Sequence, residues 1–63
     1  MFAEILVIDG AFERPVQINR AMIRDCRPDW QYGGGTVTLI EMVDGTSYLS
    51  HQTPEEILGK ELQ

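Results

Sequence analysis

A chain of 63 residues with a net charge of -5 is long enough for one domain and too acidic for a general nucleic-acid binder. A domain of this size buries only about 60% of its unfolded surface, so it depends on dense packing or on self-association. Its one cysteine, Cys26, cannot form an intramolecular disulfide, and no Cys/His cluster offers a metal site. We therefore expect a single domain over residues 1–63 that has no metal or cofactor and forms a homo-oligomer.

The N-terminal segment, residues 1–8, is apolar but too short to span a bilayer. It also lacks the basic region and the small-residue cleavage site of a signal peptide. Together with a free thiol, which suits reducing conditions, these features predict a cytoplasmic protein with no membrane partner.

The first predicted element is a β-hairpin. Its first strand, residues 2–8, is apolar on both faces except at Glu4, and Asp9-Gly10 predicts a tight turn. The return strand, residues 11–18, contains Pro15, which cannot donate a hydrogen bond to a neighbouring strand. This strand should therefore lie at an edge or be broken at the proline. The residues expected on its apolar face are Phe12, Val16 and Ile18.

Residues 19–27 fit two structures. In one, Asn19 caps a short helix that Pro28 ends, with Met22, Ile23 and Cys26 on one face. In the other, residues 19–22 form a turn and residues 23–27 form a third strand. Nine residues are too few for hydrophobic periodicity to decide, and we favour the turn and strand.

Residues 28–35, PDWQYGGG, predict a loop because three consecutive glycines cost too much backbone entropy inside a regular element. The loop carries Trp30 and Tyr32, and Trp, Tyr and Arg are the residue types that dominate interface hot spots. We therefore predict an interaction site made of Trp30, Tyr32, Arg24 and Arg27. The alternative is that Trp30 folds back and caps the small core.

Residues 36–50, TVTLIEMVDGTSYLS, predict the central β-hairpin, with Asp44-Gly45 at its turn. A two-residue loop would place Ile40 opposite Leu49. A type I turn with Gly45 as a bulge would instead place Ile40 opposite Tyr48 and Leu39 opposite Leu49. We favour this second register because large apolar side chains then face each other on both sides of the hairpin.

A helix is predicted over residues 53–62. Thr53 is the N-cap, Pro54 occupies the first helical position, and Glu56 completes a capping box. An apolar stripe can lie on the sheet, and Gly59 inside this helix should weaken it by about 1 kcal/mol relative to Ala. The stripe consists of Ile57, Leu58 and Leu62.

No catalytic group can be assembled from the sequence. The glycines before Thr36 lack the Lys and the following helix of a phosphate-binding loop. His51 has no spacing signature that links it to Ser47, Ser50 or Cys26. Cys26 lies near Arg24 and Arg27, which could lower its pKa, although a lone Cys more often acts as a small core hydrophobe. We therefore predict that the protein is not an enzyme.

Several of these segments together form a family pattern: Ile18-Asn19 with Ile23, then Ile40-x-Met42-x-Asp44-Gly45-x-x-Tyr48, then Pro54-Glu55-Glu56-Ile57. Over residues 18–62 the chain resembles the FlbD/SwrD-like small flagellar and swarming-motility proteins. It departs from them in a longer, more aromatic loop at residues 30–35 and in a more apolar N-terminal hairpin. The resemblance implies a non-enzymatic accessory protein that works through protein contacts.

The expected fold is α+β and mainly β: two hairpins in a three- to five-stranded antiparallel sheet or partly open barrel, with a C-terminal helix. The expected function is that of a regulatory or adaptor protein that binds protein partners and itself. Two other functions compete with it. One is a small acidic inhibitor, for example phage-encoded, that occupies a basic site on a host enzyme. The other is a single-stranded nucleic-acid binder that uses Arg20, Arg24, Arg27, Trp30 and Tyr32.

Overall fold

The computed structural model describes residues 2–31 and 36–59, in which two antiparallel sheets and one short helix surround a shared core. The predicted class, α+β and mainly β, is confirmed, and the two sheets do not close into a barrel. In chain order the elements are β1 (Phe2–Asp9), β2 (Phe12–Asn19), a 3₁₀ helix (Arg20–Met22), β3 (Ile23–Pro28), β4 (Thr38–Met42), β5 (Ser47–Ser50) and α1 (Pro54–Leu58).

The first hairpin pairs β1 with β2 in register from Phe2 opposite Asn19 to Asp9 opposite Phe12. Its loop is therefore residues 10–11, so Ala11 belongs to the turn and not to the return strand as predicted. β2 pairs only with β1 within the described residues, which confirms the edge position predicted from Pro15. Phe12, Val16 and Ile18 share a face of β2 as predicted, but Phe12 lies at the far end of the hairpin and is 78% exposed.

The turn-and-strand interpretation of residues 19–27 is confirmed. The 3₁₀ helix follows Asn19, whose Oδ1 accepts a 3.1 Å hydrogen bond from the Ala21 N–H. β3 then runs one residue further than predicted, because Pro28 still pairs with Thr38. Its register shifts between Ile23 and Asp25, where the strand is irregular.

The central hairpin has the favoured register, with Ile40 opposite Tyr48 and Leu39 opposite Leu49. The Gly45 N–H donates to the Met42 carbonyl at 3.1 Å, and the Met42 N–H donates to the Thr46 carbonyl at 2.8 Å. Gly45 has φ 93°, a conformation that a residue with a Cβ rarely adopts. The predicted turn with a glycine bulge is therefore confirmed.

The core is small and draws on both sheets and the helix. Alternate residues of β1 point inward, and Ile40 and Ile57 are fully buried opposite them. These side chains form one contiguous apolar cluster, which both sheets and the helix share. Its buried members are Ile5, Val7, Ile18, Ile40 and Ile57.

Side chains near the end of β5 join the two sheets. The Ser50 Oγ donates to the Leu6 carbonyl at 2.6 Å and accepts from the Gln52 N–H at 3.1 Å. The Leu6 N–H donates in turn to the Gln52 Oε1 at 2.9 Å. Ser50 is fully buried, so these bonds satisfy polar groups that would otherwise be costly to remove from water.

The predicted capping box of α1 is confirmed, with the Glu56 N–H donating to the Thr53 Oγ1 and the Thr53 N–H donating to the Glu56 Oε1. The predicted length is wrong. The helix ends at Leu58 because Gly59 adopts a left-handed conformation with φ 75° and closes the C-terminus. Leu62, predicted on the apolar stripe, lies outside the described residues.

Candidate protein interaction site

Trp30 lies on the surface, on a bend that follows β3, and its side chain is 75% exposed. It does not fold back over the core, so the core-capping alternative is wrong. A large aromatic side chain left in water is costly, and Trp is the residue type most enriched in interface hot spots. Tyr32, which was predicted to share the site, lies outside the described residues.

Two hydrogen bonds of Asp29 hold the chain next to this tryptophan. The Asp29 N–H donates to the Val37 carbonyl at 2.8 Å, which extends the pairing of β3 with β4 by one step. The Gln31 N–H donates to the Asp29 Oδ1 at 3.0 Å and forms a local turn around Trp30. The residue that precedes Trp30 is therefore tied to both Val37 and Gln31.

An open depression of about 540 Å³ lies beside Trp30. Its walls combine the indole with charged, amide and aliphatic groups, so it offers a mixed contact surface. Arg27 and Trp30 both line it, which brings together two of the predicted site residues, whereas Arg24 is outside it. The lining residues are Arg27, Pro28, Asp29, Trp30, Gln31 and Leu39.

Arg24 and Arg27 belong to a network of ion pairs on the outer face of the second sheet. Glu41 accepts from the Arg27 Nη1 at 2.8 Å and lies 3.5 Å from the Arg24 Nη2, while Arg27 also bonds to Asp25. The Arg27 hydrogen bond lowers the pKa of Glu41. Exposed pairs such as these add little stability, but they neutralise the arginines locally.

Cys26 is half-buried against the core, between these charged neighbours along β3. Burial is the main cause that raises the pKa of its thiol, and the charge of Asp25 adds to it. The possibility of an arginine-activated thiolate is therefore wrong, and Cys26 acts as a small core side chain.

The other polar groups considered for catalysis are not assembled either. Ser50 uses its hydroxyl to bond Leu6 and is buried, while its neighbour His51 is exposed. Within residues 2–31 and 36–59, no group of three or more His, Cys, Asp or Glu side chains could hold a metal ion. The glycines at positions 33–35 lie outside the described residues. No helix in the described part of the chain has the length and apolar character needed to cross a membrane.

The structure reveals a second exposed surface that the sequence did not single out. Side chains alternate between the two faces of a strand, so every second side chain of the first hairpin points away from the core. Two of these outward side chains are large and apolar: Phe2 is 66% exposed and Leu6 is 41% exposed. The signal was present in the run FAEILVI, which is apolar on both faces. We call this surface the outer hairpin face; it consists of Phe2, Glu4, Leu6, Ile8, Glu13, Pro15 and Gln17.

Comparison with known proteins identifies no relative of the chain. No family model, curated protein or solved structure matches it. The resemblance to small flagellar and swarming-motility proteins stays a prediction.

Proposed function

We propose that this chain is a non-enzymatic regulatory or adaptor protein that acts through protein–protein contacts centred on Trp30. The observation that carries the proposal is the 75% exposure of Trp30 next to Asp29, whose N–H donates to the Val37 carbonyl. An exposed aromatic side chain buries a large area on binding and has only two side-chain torsions to immobilise. Arg27, at the edge of the same depression, adds a second hot-spot residue type.

The state of the polar side chains supports a non-enzymatic role. A general base needs a nucleophile within hydrogen-bond reach, and the buried Ser50 hydroxyl donates instead to a backbone carbonyl. The raised pKa of Cys26 keeps its thiol protonated at neutral pH, which is the unreactive form.

Self-association through the Trp30 side of the molecule is part of this proposal. In a two-fold dimer the same patch meets itself, so a charged patch is self-complementary only if it has charges of both signs. The outer face of the second sheet has both, in the network of Asp25, Arg27 and Glu41. Two half-buried leucines, Leu39 and Leu49, lie on the same face and supply apolar area.

Binding of single-stranded nucleic acid is disfavoured by the same network. Phosphate contacts need arginines whose donors are available, and Arg24 and Arg27 already face Glu41. Arg20 is also engaged, since its Nε donates to the Ile57 carbonyl at 2.8 Å. Retardation of single-stranded DNA at low salt would favour this function again.

The proposed biological setting is the cytoplasm, in a role of the kind that the flagellar resemblance implies. The free Cys26 suits a reducing compartment. An accessory protein of this type would have no substrate and would be detected through its partners.

A substitution of Trp30 tests the proposal. The Trp30→Ala variant should weaken self-association and partner capture by about 30-fold, the effect of losing a hot spot worth about 2 kcal/mol. Val43→Ala is the matched control, because Val43 is also exposed but lies at the tip of the central hairpin. Sedimentation equilibrium measures the mass, and affinity capture measures the partners. If the wild type and Trp30→Ala have the same mass and capture the same proteins, the proposal is wrong.

A further inference from the structure

The outer hairpin face combines exposed apolar side chains with acidic charge. Phe2, Leu6 and Pro15 are exposed, and Ile8 is half-buried at the end of the same row. The charged side chains that share this face are both carboxylates, Glu4 and Glu13, and neither forms an ion pair within the described residues. No Arg or Lys of β1 or β2 lies on this face.

Arg14, the one cation of this hairpin, points to the opposite side. Arg14 lies on the same side of β2 as Val16 and Ile18, and it forms an ion pair with Asp9 at 3.1 Å. The negative charge of the outer hairpin face is therefore not balanced from within its own two strands.

The free edge of β2 is a poor place for another strand to add. Leu6 directs its N–H and carbonyl away from β2, towards Gln52 and Ser50. Leu6 and its cross-strand neighbour Pro15 therefore form a non-hydrogen-bonded pair, in which the backbone polar groups of both residues point away from the partner strand. The backbone polar group of Pro15 thus points to the free edge of β2. Proline has no N–H, so an added strand would lose a hydrogen bond at this point. Binding at this hairpin should use the face and not the edge.

A second copy of the chain fits this face poorly. Two such faces in contact would bring Glu4 and Glu13 of both copies together, and every arginine in the described residues is engaged elsewhere. The face is also small. Two strands of eight residues cover about 27 Å by 10 Å, or about 270 Å². A stable interface buries about 800 Å² on each partner.

We propose that the outer hairpin face binds a short cationic, amphipathic peptide segment of another protein. Its apolar side chains would cover Phe2, Leu6 and Ile8, and its Lys or Arg side chains would pair with Glu4 and Glu13. A peptide segment matches a footprint of this size, and the charge selects it over an acidic or neutral segment. This surface is separate from Trp30, so the inference does not rest on the proposed function.

Designed peptides test the inference. The probes are an amphipathic peptide of Leu and Lys, its counterpart with Glu in place of each Lys, and a scrambled Leu/Lys peptide of equal composition. Titration into the ¹⁵N-labelled full chain should shift amide signals of β1 and β2 with the first peptide only. The scrambled peptide should bind at least tenfold more weakly, because its apolar and cationic groups do not separate onto two sides.

Variants of the face should lower the affinity at least tenfold. One is Leu6→Thr, with the exposed Val43→Thr as its control. The other is the double variant Glu4→Gln/Glu13→Gln. Its control, Asp44→Asn/Glu55→Gln, removes the same net charge from exposed positions elsewhere.

Several results would overturn the inference. These are no shift at millimolar peptide, equal binding of the Glu peptide, shifts centred on Trp30, or equal loss of affinity in the two double variants. Binding of the chain to zwitterionic lipid vesicles that Leu6→Thr abolishes, with no peptide binding, would assign the face to a membrane instead. Trp30→Ala should bind the Leu/Lys peptide like the wild type, so this test and the test of the proposed function can fail separately.

Discussion

The two sheets bury their inner faces in one core, but their outer faces differ in how charge is arranged. On the second sheet, Glu41 lies between two arginines, and the face has charges of both signs. On the first hairpin, Glu4 and Glu13 form no ion pair with another described residue, and Phe2 and Leu6 are exposed. Apolar alternation thus determines which side of a strand is buried, whereas charge pattern determines what the other side can bind.

The largest expected effect is a difference in stability between substitutions on the inner side and on the outer side of β1. Ile5→Ala should lower the free energy of unfolding by about 2–5 kcal/mol, because Ile5 is buried and its loss leaves a cavity. A chain of 63 residues has a total of only about 3–9 kcal/mol, so this variant should lose a large fraction of its stability. Leu6→Ala, its neighbour on the outer face, should cost less than about 1 kcal/mol. Urea unfolding followed by circular dichroism measures both.

An equal cost for the two variants would contradict this comparison. It would mean that Leu6 is covered in solution, for instance by another copy of the chain. Repeating the Leu6→Ala measurement at several protein concentrations identifies that case, since the stability of a dimer depends on concentration and that of a monomer does not.

The next effect concerns the contact between the sheets. Ser50→Ala removes the donor to the Leu6 carbonyl and the acceptor for the Gln52 N–H, and should cost about 1–3 kcal/mol because two part-buried hydrogen bonds are lost. Ser47→Ala, on the same strand but exposed, is the control and should change stability by less than about 0.5 kcal/mol. Chemical denaturation of the two variants gives the difference. If Ser50→Ala matches Ser47→Ala, the side-chain bonds do not hold the sheets together.

Local signals in the sequence were enough to predict the central hairpin and the start of the helix. Asp44-Gly45 determines the register through the turn that the glycine allows, and Thr53 with Glu56 caps the helix within four residues. The predicted helix is too long because it includes Gly59 as an interior residue, whereas Gly59 closes the C-terminus of the helix. Here the sequence signal existed, since glycine is the usual residue at this position.

Contacts between distant residues could not be predicted from the sequence. Ser50 and Leu6 are 44 positions apart, and Arg20 and Ile57 are 37 apart. No local pattern links either pair. The candidate site could also be predicted only in part. Composition predicts a loop at Trp30, but the exposure of the Trp30 side chain depends on the size of the core and on the residue at which β3 ends.

A smaller effect tests one of these distant contacts. Gly59→Ala should cost about 1–2 kcal/mol, because a Cβ at φ 75° is strained. That Cβ would also lie 2.9 Å from the Arg20 Cζ, and moving the guanidinium aside would break its bond to the Ile57 carbonyl. In an Arg20→Ala background the contact is absent, so Gly59→Ala should cost less there. Equal costs in both backgrounds, measured as a double-mutant cycle, would show that the two residues are not coupled.

The smallest effect tests the charge network that distinguishes the second sheet from the first. Because Arg27 lowers the pKa of Glu41 in the folded state, the ion pair stabilises the fold above the ordinary Glu pKa of 4.5. This stabilisation should be lost as the pH falls from about 4.5 through the lowered folded-state pKa. Glu41→Gln removes the titrating group. The difference in the free energy of unfolding between the wild type and this variant should therefore be largest near pH 7 and shrink towards pH 3. In 1 M salt this change with pH should be smaller, because salt screens the ion pair. Asp44, whose pKa is lowered by the Thr46 N–H, is present in both proteins and cancels in the difference. A difference that does not change between pH 7 and pH 3 would mean that the network around Arg27 is not formed in solution, and the second sheet would then offer available arginines to an anionic partner.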